Sequence, residues 1–407
     1  MERGIVIGAD PHIMRDPVSG RYYAYCTGED DADEGWAFNI YVSDDLDEWS
    51  FCGKALKKDE KRWGRDWFWA PECYYSPYSH KYFLFYSARV YPERVAENFG
   101  RPDFIECAKF GVATSDSPAG PFINIEARPL DYFPYNPTQP DLNQLAGEAE
   151  LMKPCSLDES ERAPKGVFSS LIDVNIFFDD DGRQYMYFSR CAYPNWIWDA
   201  NLGKFVEQSD ISGVELDPAW FFDPKGETMP TIAPRFIDAN RDEQRYPDVR
   251  KDGFVRIVGY DMQPQSWELY HVDDYAKYQG QRKDRRWSEG STTFVRQIDG
   301  RRTYCLTYSA NFFESPAYGV GLAFADSPLG PYTKSAANPV IHQKPEEDIY
   351  STGHGSIVEI GDRLVYVFHG RNHMAPKRSL FWADLEIQKR DEIAVGPYHT
   401  CHLKEGE

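Results

Sequence analysis

The 407-residue chain contains no apolar run long enough to span a bilayer. Its opening, MERGIVIGAD, has neither the basic flank nor the apolar stretch of about 7–15 residues that marks a signal peptide. These two absences lead to the expectation of a cytoplasmic protein with no membrane partner. Cysteine is sparse: eight residues, at 26, 52, 73, 107, 155, 191, 305 and 401, show no CxxC or other metal-ligand spacing. Several fall inside strand-like runs such as Thr303-Tyr304-Cys305-Leu306, so they read as small buried thiols rather than a disulfide framework or a zinc site. Positive charge is also short, with 45 Lys and Arg against 65 Asp and Glu, a net charge of −20. Such a surface repels phosphate backbones, which excludes nucleic acid as a partner, whereas neutral ligands such as sugars meet no penalty. None of these patterns encodes an oligomeric state.

Aromatic residues are abundant: 27 Tyr, 25 Phe and 11 Trp fit half-buried sheets, where they pack across strands. Many of them recur in one arrangement, a polar or acidic signature followed by a hairpin with an aromatic second strand. It occurs five times, as GADPHIMRDPVSGRYYAYCTG (8–28), WAPECYYSPYSHKYFLFYS (69–87), SLIDVNIFFDDDGRQYMYFS (170–189), SEGSTTFVRQIDGRRTYCLTYS (288–309) and GHGSIVEIGDRLVYVFHGR (353–371). A strand-and-turn module recurs behind the second and fourth copies, as ATSDSPAGPF (113–122) and AFADSPLGPY (323–332). NIYVSDDLDEWSFCG (39–53) fills the same slot behind the first. Hairpin units repeating at intervals of tens of residues predict an all-β, five-bladed propeller.

The chain reads as a single propeller domain over 1–407 with two insertions, at about 124–166 and 219–287. The first is rich in Pro, Asn, Asp and Glu and has little periodicity. The second holds FVRIVGYDM (254–262) and SWELYHV (266–272), which pattern as an extra hairpin. Long loops on a rigid β scaffold commonly shape a binding site.

In a propeller the innermost strands line one channel, so residues opening successive copies converge. The acids at those places are Asp10, Glu72, Asp173 and Glu289, and the fifth copy offers His354. Paired carboxylates at one pocket are what glycosidic cleavage requires, one protonating the leaving oxygen and one activating water or attacking carbon. Taken singly, each acid also fits a turn cap. Asp173 lies between apolar Ile172 and Val174, where burial would raise its pKa.

Together, ADPHI, WAPE, SLIDVNIFFDDDGRQYMY, EGSTTF and GHGSIV, with SDDLDEW after the first copy, resemble glycoside hydrolase family 43. The likeness runs over nearly the whole chain apart from the insertions. It implies a five-bladed propeller that hydrolyses arabinosyl, xylosyl or some galactosyl linkages with inversion, and an oligosaccharide substrate. By the same resemblance Asp10 is the general base, Glu289 the general acid, and Asp173 the third carboxylate that orients the acid. The family usually places proline after the Glu-Gly pair, whereas Ser291 stands here, which implies an altered pocket shape.

His354 matches a channel histidine that in some members faces water or a calcium ion; the resemblance requires no cofactor but admits structural Ca2+ there, with no metal site otherwise. It is also compatible with a purely structural histidine. Arg371 matches an arginine that reaches the sugar, and a surface ion pair is its other reading. Phe68 and Trp69 are candidates for a stacking wall or for core, and Glu72 for a hydroxyl contact. A non-catalytic carbohydrate-binding or interaction propeller, and an exo-β-galactosidase, remain the alternatives to an α-L-arabinofuranosidase or β-D-xylosidase. Two further motifs read as turns: Arg15-Asp16-Pro17, despite its likeness to an element of fructan-cleaving propellers, and Asp179-Asp180-Asp181-Gly182, despite its likeness to a calcium loop.

Overall fold

A computed structural model describes residues 4–29, 35–58, 63–99, 107–130, 170–199, 204–234, 254–272, 274–279 and 284–404. The chain forms five antiparallel blades arranged around a channel. Blade 1 comprises β1 (Ala9–Arg15), β2 (Tyr22–Thr27), β3 (Trp36–Ser43) and β4 (Glu48–Lys57). Blade 2 comprises β5 (Gly64–Ser76), β6 (Lys81–Val90), β7 (Ala108–Ser115) and the short β8 (Ile123–Asn124). Blade 3 is built from β9 (Ser170–Phe178), β10 (Gln184–Asp199) and β11 (Lys204–Asp217), with β12 (Thr231–Ile232) and β13 (Val255–Val258) both pairing with β11. A two-residue strand, β14 (Leu269–Tyr270), then precedes blade 4, which holds β15 (Asp284–Ile298), β16 (Arg301–Ala310), β17 (Gly319–Ala325) and β18 (Thr333–Lys334). Blade 5 comprises β19 (Ile349–Ile360), β20 (Arg363–Asn372), β21 (Ser379–Lys389) and β22 (Glu392–Val395), and β23 (His399–Thr400) adds to β21. The final strand, β24 (His402–Leu403), runs parallel to β4 of blade 1, so the end of the chain joins the last blade to the first.

Continuous runs of apolar and aromatic residues explain why the second strands form. In β16 every residue from Thr303 to Ala310 and in β20 every residue from Leu364 to Arg371 is buried, the pattern of strands covered on both faces by neighbouring blades. Aromatic side chains fill the wedges between blades. Trp63, Tyr86 and Phe38 pack between blades 1 and 2, and Tyr187, Phe188, Trp220 and Tyr308 belong to the cluster spanning blades 2, 3 and 4.

The two acidic motifs are hairpin turns, as expected. Asp16 accepts from Val18 N and Ser19 N within its own turn, and Asp179 accepts the Gly182 amide through its carbonyl. The expected extra hairpin at 254–272 is not one. Its first half, β13, is the outer neighbour of β11, while its second half, β14, pairs with β15 at Leu269↔Arg286 and Tyr270↔Arg285. Part of the second insertion is therefore blade material. Residues 131–169 of the first insertion lie outside the described residues.

β11 and β15 also pair in parallel from Val206↔Asp284 to Ser209↔Trp287, fusing blades 3 and 4 into one sheet. Among the described residues no helix is long and apolar enough to cross a membrane.

Candidate active site

The innermost strand of each blade breaks its register near its start. The irregularities fall at Ala9/His12, Trp69/Glu72, the partners of Tyr187/Ser189, Glu289/Thr292 and Tyr350/Gly355. A bulge of this kind re-aims a side chain. At the same places the backbone enters the left-handed region, at Asp10 (φ 50°), Ala70 (φ 47°), Asp173 (φ 61°), Gly290 (φ 58°) and His354 (φ 35°). Gly290 has a second reason to be glycine, because a Cβ there would lie 2.6 Å from the His354 ring.

Hydroxyl or imidazole groups on the second strands hold these bulges across the blade seams. The amides of Ala70, Asp173, His354 and Asp10 donate to Thr27 Oγ1 (2.9 Å), Ser87 Oγ (3.0 Å), Ser309 Oγ (2.7 Å) and His369 Nδ1 (3.1 Å), each on the preceding blade. At the fourth blade the acceptor is the Asp173 carboxylate, which takes Gly290 N at 3.3 Å and Ser189 Oγ at 3.2 Å. Asp173 thereby grips the backbone immediately after Glu289.

All five blades contribute to a cavity of about 420 Å³ at this end of the channel. Its polar lining includes Asp10, Asp173, Glu289, His354, Arg285 and Arg378, and its aromatic lining Trp67, Trp69, Trp287, Phe312, Phe313 and Tyr318, with Glu314 at the exposed rim. Trp67 and Trp69 stack at 4.9 Å, and the Arg89 guanidinium lies 3.9 Å from the outer face of Trp67. The Arg285 guanidinium lies over both Trp287 (4.5 Å) and Phe312 (4.6 Å) and pairs with Glu207 at 2.9 Å. Flat apolar faces beside a few fixed polar groups suit a sugar, whose C–H faces and hydroxyls need both.

The three carboxylates sit in different fields. Burial alone would raise Asp10, but His354, Arg378 and His369 outweigh it and hold the carboxyl far below the ordinary range. Its Oδ2 accepts Thr27 Oγ1 at 2.7 Å, and its Oδ1 lies 3.3 Å from His354 Nδ1 and 3.4 Å from Arg378 Nη1. Asp173 is pushed up to about 7, chiefly by burial, with the charges of Glu289 and Asp10 adding to it against the pull of His354. This agrees with its apolar neighbours in sequence. Burial opposes a charge on His354, yet Asp10, Asp173, Glu289 and Glu72 together raise its pKa. Glu289 accepts Trp287 Nε1 at 2.6 Å and the Tyr318 hydroxyl at 2.7 Å.

The sequence-derived residues divide on inspection. Asp10, Asp173, Glu289, Trp69 and His354 line the cavity. Phe68 does not; alternation along β5 turns it to the other side, against Tyr86 (5.8 Å) and Phe38 (6.1 Å) in the core. Glu72 lies away from the cavity, buried with Tyr74 and Asn175 (3.0 Å), and burial lifts it to about 7. Arg371 is turned away as well, its guanidinium donating to the carbonyls of Ala375 (2.9 Å) and Pro376. Arg378, beyond the same turn, lines the cavity in its stead, fixed by Glu29 (2.5 Å) next to Asp10. Sequence reading missed Arg378, Trp67, Trp287 and Tyr318; for Trp287 the signal was its position two residues before Glu289, on the same strand face. Ser291 is buried with its hydroxyl unpartnered and does not line the cavity.

Calcium takes six to eight oxygens at about 2.3–2.6 Å. Among the described residues no group of three or more His, Cys, Asp or Glu could hold a metal ion, and His354 offers a nitrogen already turned to Asp10.

The sequence profile of Glycosyl hydrolases family 43 matches residues 5–130 and 193–390. Xylosidase/arabinosidase 43A of Humicola insolens is 25% identical over 339 residues, 82% of this chain and 75% of that protein. A beta-xylosidase of Xylanibacter ruminicola is 24% identical over 348 residues, covering 84% and 78%. In structure, the endo-1,4-beta-xylanase of Bacteroides thetaiotaomicron superposes with a TM-score of 0.60 at 25% identity, covering 99% of both chains. With the propeller, the convergent carboxylates and a profile match over most of its length, this chain belongs to glycosyl hydrolase family 43 and is a glycoside hydrolase acting on O-glycosyl bonds.

Proposed function

We propose that the protein is an inverting, exo-acting glycosidase that releases terminal α-L-arabinofuranosyl or β-D-xylosyl residues from short oligosaccharides. The observation that carries this reading is the convergence of Asp10, Asp173 and Glu289 on one sugar-sized cavity whose walls are aromatic. The names of the xylosidase and arabinosidase relatives support the choice of sugars.

In this reading Asp10, held ionised by its cationic neighbours, accepts a proton from the water that attacks the anomeric carbon. Glu289 gives its proton to the glycosidic oxygen as the C–O bond breaks. Asp173 keeps the Glu289-Gly290 backbone in place and sets the field between the two. Arg378, a multi-donor fork beside Asp10, suits vicinal hydroxyls, and Trp69 offers a face to the sugar. The partners that keep Asp10 ionised also weaken it as a base, so sugar hydroxyls that draw Arg378 away would strengthen it during catalysis.

Turnover of aryl α-L-arabinofuranosides and β-D-xylosides tests the assignment. Glu289→Gln and Asp10→Asn are each expected to lower kcat by about 10²–10⁴-fold on substrates with unactivated leaving groups, with binding largely kept. Proton NMR of the first-formed sugar should show the inverted anomer. Retention, or full activity of Glu289→Gln on such substrates, would overturn the proposal, and sugar binding without turnover by the wild type would favour a carbohydrate-binding propeller.

A further inference from the structure

Both oxygens of Glu289 are already engaged by neutral donors. The Tyr318 hydroxyl donates to Oε1 at 2.7 Å and Trp287 Nε1 to Oε2 at 2.6 Å. Each donor is fixed in turn. Tyr318 is 1% exposed, its ring lies parallel to His369 at 5.9 Å, and it fills the space above Gly353, where a Cβ would come within 2.1 Å of the ring. Glycine at 353 is thus a condition for the hydroxyl to reach Glu289. Trp287 packs with Ile172, Ala108, Cys191 and Trp69, and Arg285 covers its ring.

We propose that Tyr318 and Trp287 are positioning residues for the general acid, which they aim and whose departing proton they compensate. The proposal rests on the reading of Glu289 as that acid. An indole N–H only donates, and the carbonyl oxygen of a carboxyl group is its better acceptor, so the transferable proton is assigned to Oε1. There the Tyr318 hydroxyl, able both to donate and to accept, follows the change of state. As the Oε1–H bond breaks, the proton goes to the glycosidic oxygen, the C–O bond opens, and negative charge appears on the carboxylate. Hydrogen bonds to an ionised acceptor are roughly twice as strong as neutral ones, so both contacts strengthen as the proton leaves. Strengthening of that kind acts on the transition state and not on substrate binding. The charged groups sharing the cavity are Asp10, Asp173, His354, Arg285, Glu314 and Arg378; neither substitution changes their number, and only Arg285, which lies over Trp287, touches a replaced ring.

The test compares Tyr318→Phe and Trp287→Phe, which keep aromatic rings, with wild type on two glycoside series. One carries alkyl or oligosaccharide leaving groups that need protonation, and the other 2,4-dinitrophenolate, which does not. For Tyr318→Phe the expected result is a kcat lower by about tenfold on the first series, with KM within about twofold and near-normal kcat on the second. Trp287→Phe should show the same split. Equal losses on both series, or a loss carried by KM, would overturn the proposal and leave a structural role. If Glu289→Gln turned over the first series normally, the acid assignment itself would fall, which is a different result from a Tyr318→Phe enzyme without the split. Thermal unfolding of each variant establishes that it is folded before its rates are read.

Discussion

Asp173 is a carboxyl whose native pKa lies near 7 against an ordinary value of 3.8, and burial is the main cause. The native state therefore binds more protons than the unfolded chain between those two values, so this residue's contribution to stability falls as pH rises through that window. Asp173→Asn removes the titrating group and its slope. Relative to wild type, the variant should gain stability between pH 5 and pH 8, on the order of a few kcal/mol, while losing activity. Denaturant unfolding at the two pH values measures it, and a constant difference would show that Asp173 does not carry the shift. This property was legible in the sequence, because an acid set between Ile172 and Val174 on an innermost strand is largely shielded from water. The choice between Arg371 and Arg378 was not. Arg371 follows Gly370 into a turn that curls back onto its own guanidinium. Arg378 reaches Asp10 because Gly8 N donates to its carbonyl and Leu380 N to Val6 O, contacts across the full length of the chain that no local pattern reveals.

The elements show the same division. The five hairpins could be read from alternation and turn residues, and the Ser or Thr repeated on β2, β6, β10 and β16 stands in the sequence at Thr27, Ser87, Ser189 and Ser309. The segment between blades 3 and 4 read as a hairpin because two short apolar runs flank a polar turn, yet each run finds a longer strand as its partner. A buried ion pair locks this segment to blade 4. Lys334 Nζ on β18 lies 2.7 Å from Glu268 Oε1 and donates to Gly259 O at 3.0 Å, and the Tyr308 hydroxyl donates to Glu268 at 2.8 Å. Lys334→Met would strand the Glu268 carboxylate, and a loss of about 3–5 kcal/mol is expected. Adding Glu268→Met should recover much of it, since a buried pair gains little over apolar packing of similar volume. Denaturant titration of the single and double variants checks this. The effect should extend to the site, because the carbonyls of Trp267 and Leu269 hold Asn311, the residue preceding the cavity-lining Phe312 and Phe313. A raised KM in the single variant, restored in the double, would show the coupling; an unchanged KM would confine the pair to stability.

At the scale of the whole molecule, the geometry of the proposed catalytic site depends on how the ring closes. Asp10 belongs to the first blade, whereas Arg378, His369 and His354, the groups that set its charge state, belong to the fifth. Between them runs a seam in which Val6 N donates to Cys401 O (3.0 Å), Leu403 N to Gly4 O (2.8 Å) and Leu380 N to Val6 O (3.1 Å), while β24 pairs with β4 at His402↔Glu48. Cys401 is fully buried in this seam among Val6, Leu46, Trp49 and Leu380. Removing residues 397–407 would delete β23 and β24 and leave unpaired the outer edge of β4 at Glu48–Trp49 and that of β21 at Phe381–Trp382. With several backbone hydrogen bonds at about 1 kcal/mol each and the apolar contacts of Cys401 and Leu403 lost, the unfolding midpoint should drop by on the order of 10 °C. Activity should fall further than stability does, because even a folded open ring lets blade 5 move against blade 1 and carries Arg378 and His369 away from Asp10. The expected signature is a kcat reduced well below the unfolding midpoint, with a midpoint shift that substrate-analogue binding only partly reverses. Wild-type kcat at low temperature in the truncated chain would mean that the blade cores alone hold Asp10 and Arg378 together, and that closure by the last strand serves stability only.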